Sequence, residues 1–136
     1  MGKLFLFMNV SLDGYIADRN HDTAIFHHRD HEFEAFQQKE GKGAGTILLG
    51  RKTYDIFASY WPNQAADFPI AAKFNAVPKF VVSRSLTDPA WAGTTVLSDV
   101  GQVRALKDRF AEIHVIGSGD LARSLLAADL LDRLTL

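Results

Sequence analysis

Short apolar runs alternate with amphipathic stretches along the whole chain, and the two periods predict strands and helices in turn. Lys3 to Val10 reads as the first strand, and after the Asp13-Gly14 turn signal Gly14 to Ala17 continues it. Asp30 to Lys39 predicts an amphipathic helix with Phe33 and Phe36 on one face. A strand over Thr46 to Leu49 follows, then a helix through Tyr54 and Phe57 that Pro62 closes. Phe68 to Asn75 predicts a further helical turn before a strand over Lys79 to Ser83. Thr94 to Leu97 is a short strand, and Asp99 reads as the N-cap of a helix running to Phe110. Glu112 to Ile116 is again a strand, Gly119 to Ala127 a helix, and Leu131 to Leu136 the start of another strand. Strands this apolar, alternating with helices, predict an α/β sheet covered on both faces.

Three of these strands end in the same way. Thr46-Ile-Leu-Leu-Gly-Arg-Lys-Thr53, Lys79-Phe-Val-Val-Ser-Arg84 and Ile113-His-Val-Ile-Gly-Ser-Gly119 each run from apolar residues into a polar turn bearing glycine or arginine. Unpaired backbone N–H groups and the positive end of a helix converge at such a turn, so an anion is held there. Three of them along one sheet edge point to a polyphosphate ligand, most simply a dinucleotide.

Composition narrows the class. At 136 residues and 47% hydrophobic content the chain is the size of a single domain, residues 1–136. Its 15 basic and 16 acidic residues set up no global field toward nucleic acid or a membrane, so anion recognition must be local. The absence of cysteine excludes disulfides and thiolate metal sites and fits a cytoplasmic location. The apolar run Leu4-Phe-Leu-Phe-Met8 is too short to span a bilayer and has no cleavage site after it, which makes it a buried strand.

Asn9-Val-Ser-Leu-Asp-Gly-Tyr-Ile-Ala17, Leu49-Gly-Arg-Lys-Thr-Tyr54, Tyr60-Trp-Pro62, Val82-Ser-Arg84 and Val115-Ile-Gly-Ser-Gly119 with Leu126 to Asp132 together resemble the dihydrofolate reductase-like family. The branch is that of the C-terminal reductase domain of bifunctional riboflavin biosynthesis proteins. The resemblance covers essentially the whole chain in the family's order. It implies a three-layer α/β/α fold with a mostly parallel sheet and an antiparallel C-terminal end, whose last strands are missing here. It further implies NADPH as hydride donor, a small-molecule substrate and a homodimer.

Residue by residue, Gly50, Arg51, Lys52 and Thr53 match the family turn that holds the cofactor's phosphates. Read from the residues alone, two cations in a first helical turn oppose the helix dipole, so they await an anion or reach solvent. Ser83 and Arg84 match the position used around the adenosine 2′-phosphate, where a guanidinium fork suits a phosphate monoester. Asp120 works against that preference, since dihydrofolate reductases often carry arginine there. Ile116, Gly117, Ser118, Gly119, Asp120 and Leu121 match the turn at which backbone approaches the pyrophosphate. In the family two glycines joined by a cis peptide usually stand there, and Ser118 replaces the second. Read as G-x-G-x-x-A, the same turn lies too near the C-terminus for a Rossmann fingerprint. Asn9, Ile16 and Ala17 match the stretch that lines the nicotinamide, where a flat ring needs close apolar contact.

The resemblance also places one carboxylate of the first helix near the substrate. Asp30, Glu32 and Glu34 are the candidates by position, with Asp30 and Glu32 taken first, although three acids on one helix also read as a solvated face. Ile116 stands where riboflavin-pathway reductases usually carry glutamate. His27, His28 and His31 lack the acidic pattern of a metal site and predict a solvated cluster or contacts at the substrate mouth, so no metal is expected. The sequence is therefore similar to NADPH-dependent reductases that deliver hydride to a C=N or C=O bond of a small heterocyclic or sugar-derived substrate, in the manner of 5-amino-6-(5-phosphoribosylamino)uracil reductase. The alternative is a nucleotide-binding or oligomerising module without turnover. Leu134 and Leu136, on an open edge, lead to the expectation that the polypeptide is longer or that a partner subunit completes this end.

Overall fold

The computed structural model describes residues 2–20, 30–64 and 69–136. Six strands form one sheet in the order β4-β3-β2-β5-β1-β6, namely β1 Lys3–Phe7, β2 Thr46–Gly50, β3 Lys79–Val82, β4 Thr94–Leu97, β5 Glu112–Ile116 and β6 Arg133–Thr135. Every pairing among the described residues is parallel, β6 on β1 included. The helices are α1 His31–Gly41, α2 Arg51–Tyr60, α3 Pro69–Ala76, α4 Val103–Leu106 and α5 Gly119–Ala127.

Alternation along the strands divides the core in two. Leu4, Leu6, Leu48, Phe80, Ile113 and Val115 pack on one face with Val103 and Leu106 of α4 and Leu121 and Leu125 of α5. Ile47, Leu49 and Val81 face the other way, against Tyr54 of α2, Trp61, Ala71 of α3 and Trp91. β2 is buried on both sides, which is why its sequence carries no polar alternation. α1 contributes no buried residue, and Phe36, 42% exposed, meets Phe7 at a ring distance of 6.0 Å.

Several sequence expectations shift. Residues 14 to 17 form a loop and not a continued strand, because Ser11 ties the chain into a turn: its amide bonds the Tyr15 carbonyl at 2.9 Å, and its hydroxyl accepts from the Tyr15 amide at 2.9 Å. Gly14 takes φ 90° to close it. Asp99 does cap a turn, accepting from Gly101 with Gln102 returning the capping box, but the regular helix stops at Leu106. Beyond it, Asp108 and Arg109 bond three residues back, and the buried Lys107 turns inward to Asp132. α3 begins at Pro69, while Phe68 lies outside the described residues.

Candidate active site

β2 and β5 are neighbours, yet the chain leaves them in opposite directions. From β2 it passes through α2 on one face toward β3, and from β5 through α5 on the other face toward β6. This is the topological switch point of an open parallel sheet, where the two outgoing loops part and leave a crevice at the strand ends. The loops are the two glycine turns. Their closest tie is the Gly50 amide donating to Ser118 Oγ at 2.9 Å. A Cβ on Gly50 would stand 3.1 Å from that of Ser118, and one on Gly117 would stand 3.5 Å from Thr53 Oγ1.

The turn after β5 holds two successive left-handed residues, Gly117 at φ 59° and Ser118 at φ 65°, and no cis peptide is present among the described residues. For a serine this conformation costs on the order of 1 kcal/mol. The Oγ bonds to Gly50 N and to the Ile116 carbonyl, at 3.2 Å, hold it in place.

The third turn adjoins the first. Ser83 Oγ accepts from the amides of Ser85, at 3.2 Å, and Leu86, at 3.1 Å, which curls the chain at the end of β3. Arg51 spans the gap: its Nε bonds Asp55 at 3.0 Å and its Nη1 reaches Ser85 Oγ at 3.2 Å. Arg84 and Lys52, both exposed, have no hydrogen bond or ion pair among the described residues. α2 opens with no acidic residue in its first turn, so no carboxylate there offsets its positive end.

These turns border one cleft of about 2020 Å³. That exceeds the usual 300–1,000 Å³ of a small-ligand site. Every residue matched to cofactor binding lines it: Gly50, Arg51, Lys52 and Thr53; Ser83 and Arg84; Ile116, Gly117, Ser118, Gly119, Asp120 and Leu121; Asn9, Ile16 and Ala17. Ile16 closes over the start of α5, where a Cβ on Gly119 would come within 2.7 Å of its Cδ1. Asp120 is exposed on the first turn of α5, where its charge suits the helix dipole.

The acids of α1 separate. Asp30 is the N-cap, its Oδ1 accepting from Phe33 N at 2.8 Å, and neither it nor Glu32 lines the cleft. Glu34 does, as does Glu40, which pairs with Arg133 at 3.4 Å. His31 opens α1 in an exposed position, His27 and His28 lie outside the described residues, and no group of metal-ligating side chains occurs among the described ones.

The side chain that sequence reasoning passed over is His114. It lies on the cleft floor, 12% exposed, with Nε2 buried, without a hydrogen bond, and 3.6 Å from Glu112 Oε2. Burial lowers its pKa below the usual histidine value, although Glu112 opposes the shift, so the ring is neutral at pH 7. The available signal was a polar residue in the otherwise apolar run Ile113 to Ile116, on the face opposite the buried Ile113 and Val115.

A model of the RibD C-terminal domain family matches residues 2–136. A solved structure from Shewanella sp. PV-4, described provisionally as a riboflavin biosynthesis protein, aligns over 98% of this chain and 77% of its own with a TM-score of 0.67. The two are 23% identical, so this likeness is one of fold. No curated protein matches the chain.

Proposed function

The chain belongs to the RibD C-terminal domain family, and from that premise we propose an NADPH-dependent reductase acting on a small heterocyclic or sugar-derived substrate. The single observation that carries the cofactor is the meeting of three anion-type turns at one edge of the sheet, around unpaired Arg84 and Lys52. In this reading the backbone amides and cations of Gly50 to Thr53 hold the pyrophosphate. Ser83 and Arg84 take the 2′-phosphate, the charge that separates NADPH from NADH. Since Gly50 N is already bonded to Ser118, the amides after it are the free donors of that turn.

Asn9, Ile16, Ala17 and Ile116 form the walls for a flat ring at the switch point, and they exclude water from it. The nicotinamide would supply a hydride from C4, and the protein's part is to orient that atom against a C=N or C=O bond. Glu34, the one of the three α1 candidates that lines the cleft, is the carboxyl this reading assigns to deliver the matching proton. The family supports riboflavin biosynthesis as the setting. The same reading carries a homodimer, favoured by Leu134, 45% exposed on the edge strand β6. Among the described residues no helix is long and apolar enough to cross a membrane.

The test is consumption of NADPH with dihydrofolate and with 5-amino-6-(5-phosphoribosylamino)uracil, in wild type and Glu34→Gln. Turnover with either substrate, reduced at least tenfold in the variant, agrees with the proposal. Tight NADPH binding with no consumption across a wider substrate panel would replace it with the non-catalytic module.

A further inference from the structure

The sheet register aligns a row of side chains on the α1 face, one step below the cofactor edge. Arg133, Phe5, His114, Ile47 and Lys79 are successive partners across β6, β1, β5, β2 and β3. The row above contains Thr135, Phe7 and Ile116. Because same-face residues repeat every second position, His114 lies about 6.6 Å deeper than Ile116. A molecule resting on Ile116 beneath α1 therefore has its far end over His114.

The surroundings are aromatic. Phe5 meets the imidazole edge-on at 5.8 Å, and Phe7 with Phe36 continues the wall toward the cleft mouth. Within this apolar setting a carboxylate lies beside the ring. Glu112 Oε2 stands 3.6 Å from Nε2, and it sits where a Cβ on Gly43 would collide with it. Gly43 is thus the residue that admits Glu112 to this position. A carboxylate on the Nε2 side favours the tautomer protonated there and leaves Nδ1 as the acceptor. Nδ1 makes no hydrogen bond among the described residues.

We infer that His114 is a specificity-determining residue, presenting Nδ1 to the inner cleft as the acceptor for an N–H edge of a flat heterocyclic substrate, with Glu112 and Gly43 as its positioning residues. The inference rests on the reductase reading for where the substrate lies. Its chemistry follows from the site: aromatic walls select a flat ring, and a neutral imidazole acceptor selects a donor on its edge. The charged groups acting on the ring are Glu112 of β5, Arg133 of β6 and Lys73 of α3, with Glu40 of α1 paired to Arg133. Protonation of the ring converts Nδ1 from acceptor to donor, so recognition of an N–H edge is lost in acid.

Two probes isolate that hydrogen bond. Uracil offers N–H donors on a flat ring, and 1,3-dimethyluracil is the same ring with none. Each is titrated into the full-length protein carrying ¹⁵N-labelled histidine. Wild type is expected to bind uracil about tenfold more tightly than the methylated ring, with the Nδ1 resonance of His114 shifting for uracil alone. His114→Phe should remove the preference without changing affinity for 1,3-dimethyluracil. His114→Gln, which restores an acceptor, should recover part of it.

The preference should disappear as pH falls below the His114 pKa. Glu112→Gln should move that loss to lower pH, an effect a packing role would not produce. Equal binding of the two probes, no binding of either, or a tenfold preference that survives His114→Phe overturns the assignment. A parallel NADPH titration separates the two readings. If NADPH binds and the probes do not discriminate, only the role of His114 fails; if the preference holds and NADPH does not bind, the reductase reading fails.

Discussion

Ser118 Oγ accepts the Gly50 amide hydrogen at 2.9 Å, joining two turns that are 68 residues apart in sequence. The bond ties the two turns that flank the crevice between β2 and β5 and holds a serine in a conformation that glycine would enter freely. Ser118→Ala keeps the strained backbone and removes the acceptor, so it should destabilise by about 1–2 kcal/mol. Ser118→Gly relieves the strain as it removes the acceptor, and should cost less. Denaturant unfolding of the three proteins should rank them wild type, Ser118→Gly, Ser118→Ala; an alanine variant as stable as wild type contradicts the account.

Lys79 is fully buried in β3, and its ammonium donates to the carbonyls of Phe74, Asn75 and Val77 at 2.9, 3.1 and 2.9 Å. It also lies 4.6 Å from the centre of the Trp91 ring. Burial lowers its pKa below the usual lysine value, while the carbonyls at the end of α3 hold its three protons. Lys79→Met fills similar volume and leaves those acceptors without their donor. It should lose about 3 kcal/mol, or on the order of 10 °C in Tm. A loss under about 1 kcal/mol would show that the cation is dispensable.

Asp132 fastens the start of β6 to β1. Its Oδ2 accepts from Lys107 Nζ and from Leu4 N, both at 2.8 Å, and these bonds, the lysine's first, hold its carboxyl below the usual 3.8. A depressed folded-state pKa means that the unfolded chain takes up the proton first on acidification. The stabilisation is therefore complete above pH 3.8 and lost as pH falls toward and through the folded-state value. Asp132→Asn should be less stable by about 2 kcal/mol at pH 7, with the gap closing below that carboxyl's unfolded pKa. A gap that stays constant down to acid unfolding would mean that the charge contributes nothing.

Where local pattern and tertiary burial agree, the sequence was legible: β5 and α5 have the predicted bounds. That the three glycine- or arginine-bearing turns border one cleft was legible because each follows an apolar parallel strand, and such strands end on the same edge of a sheet. Asp30 caps α1 in the structure, a role the sequence does not separate from that of a catalytic acid, since both are the same residue type at the same end of a helix. The loop over residues 11–17 was hidden by the short-range competition of Ser11 with strand pairing, which an apolar pattern does not record. His114 was invisible because only the register shows that its face of β5 is the floor of the cleft.

The most direct test of the central claim is a fluorescence titration of NADPH and NADH against wild type, Arg84→Ala and Arg51→Ala. Arg84, exposed and without a partner among the described residues, is assigned to the 2′-phosphate alone. Arg51, which bridges α2 and the Ser85 turn, is assigned to the phosphates common to both cofactors. Arg84→Ala should weaken NADPH by about 1.5–3 kcal/mol, roughly ten- to over a hundredfold, and leave NADH nearly unchanged, whereas Arg51→Ala should weaken both. High salt should shrink the Arg84 effect, because an exposed ion contact is screened. Wild type that binds neither nucleotide, or an Arg84→Ala variant that loses both equally, contradicts the placement of NADPH in this cleft.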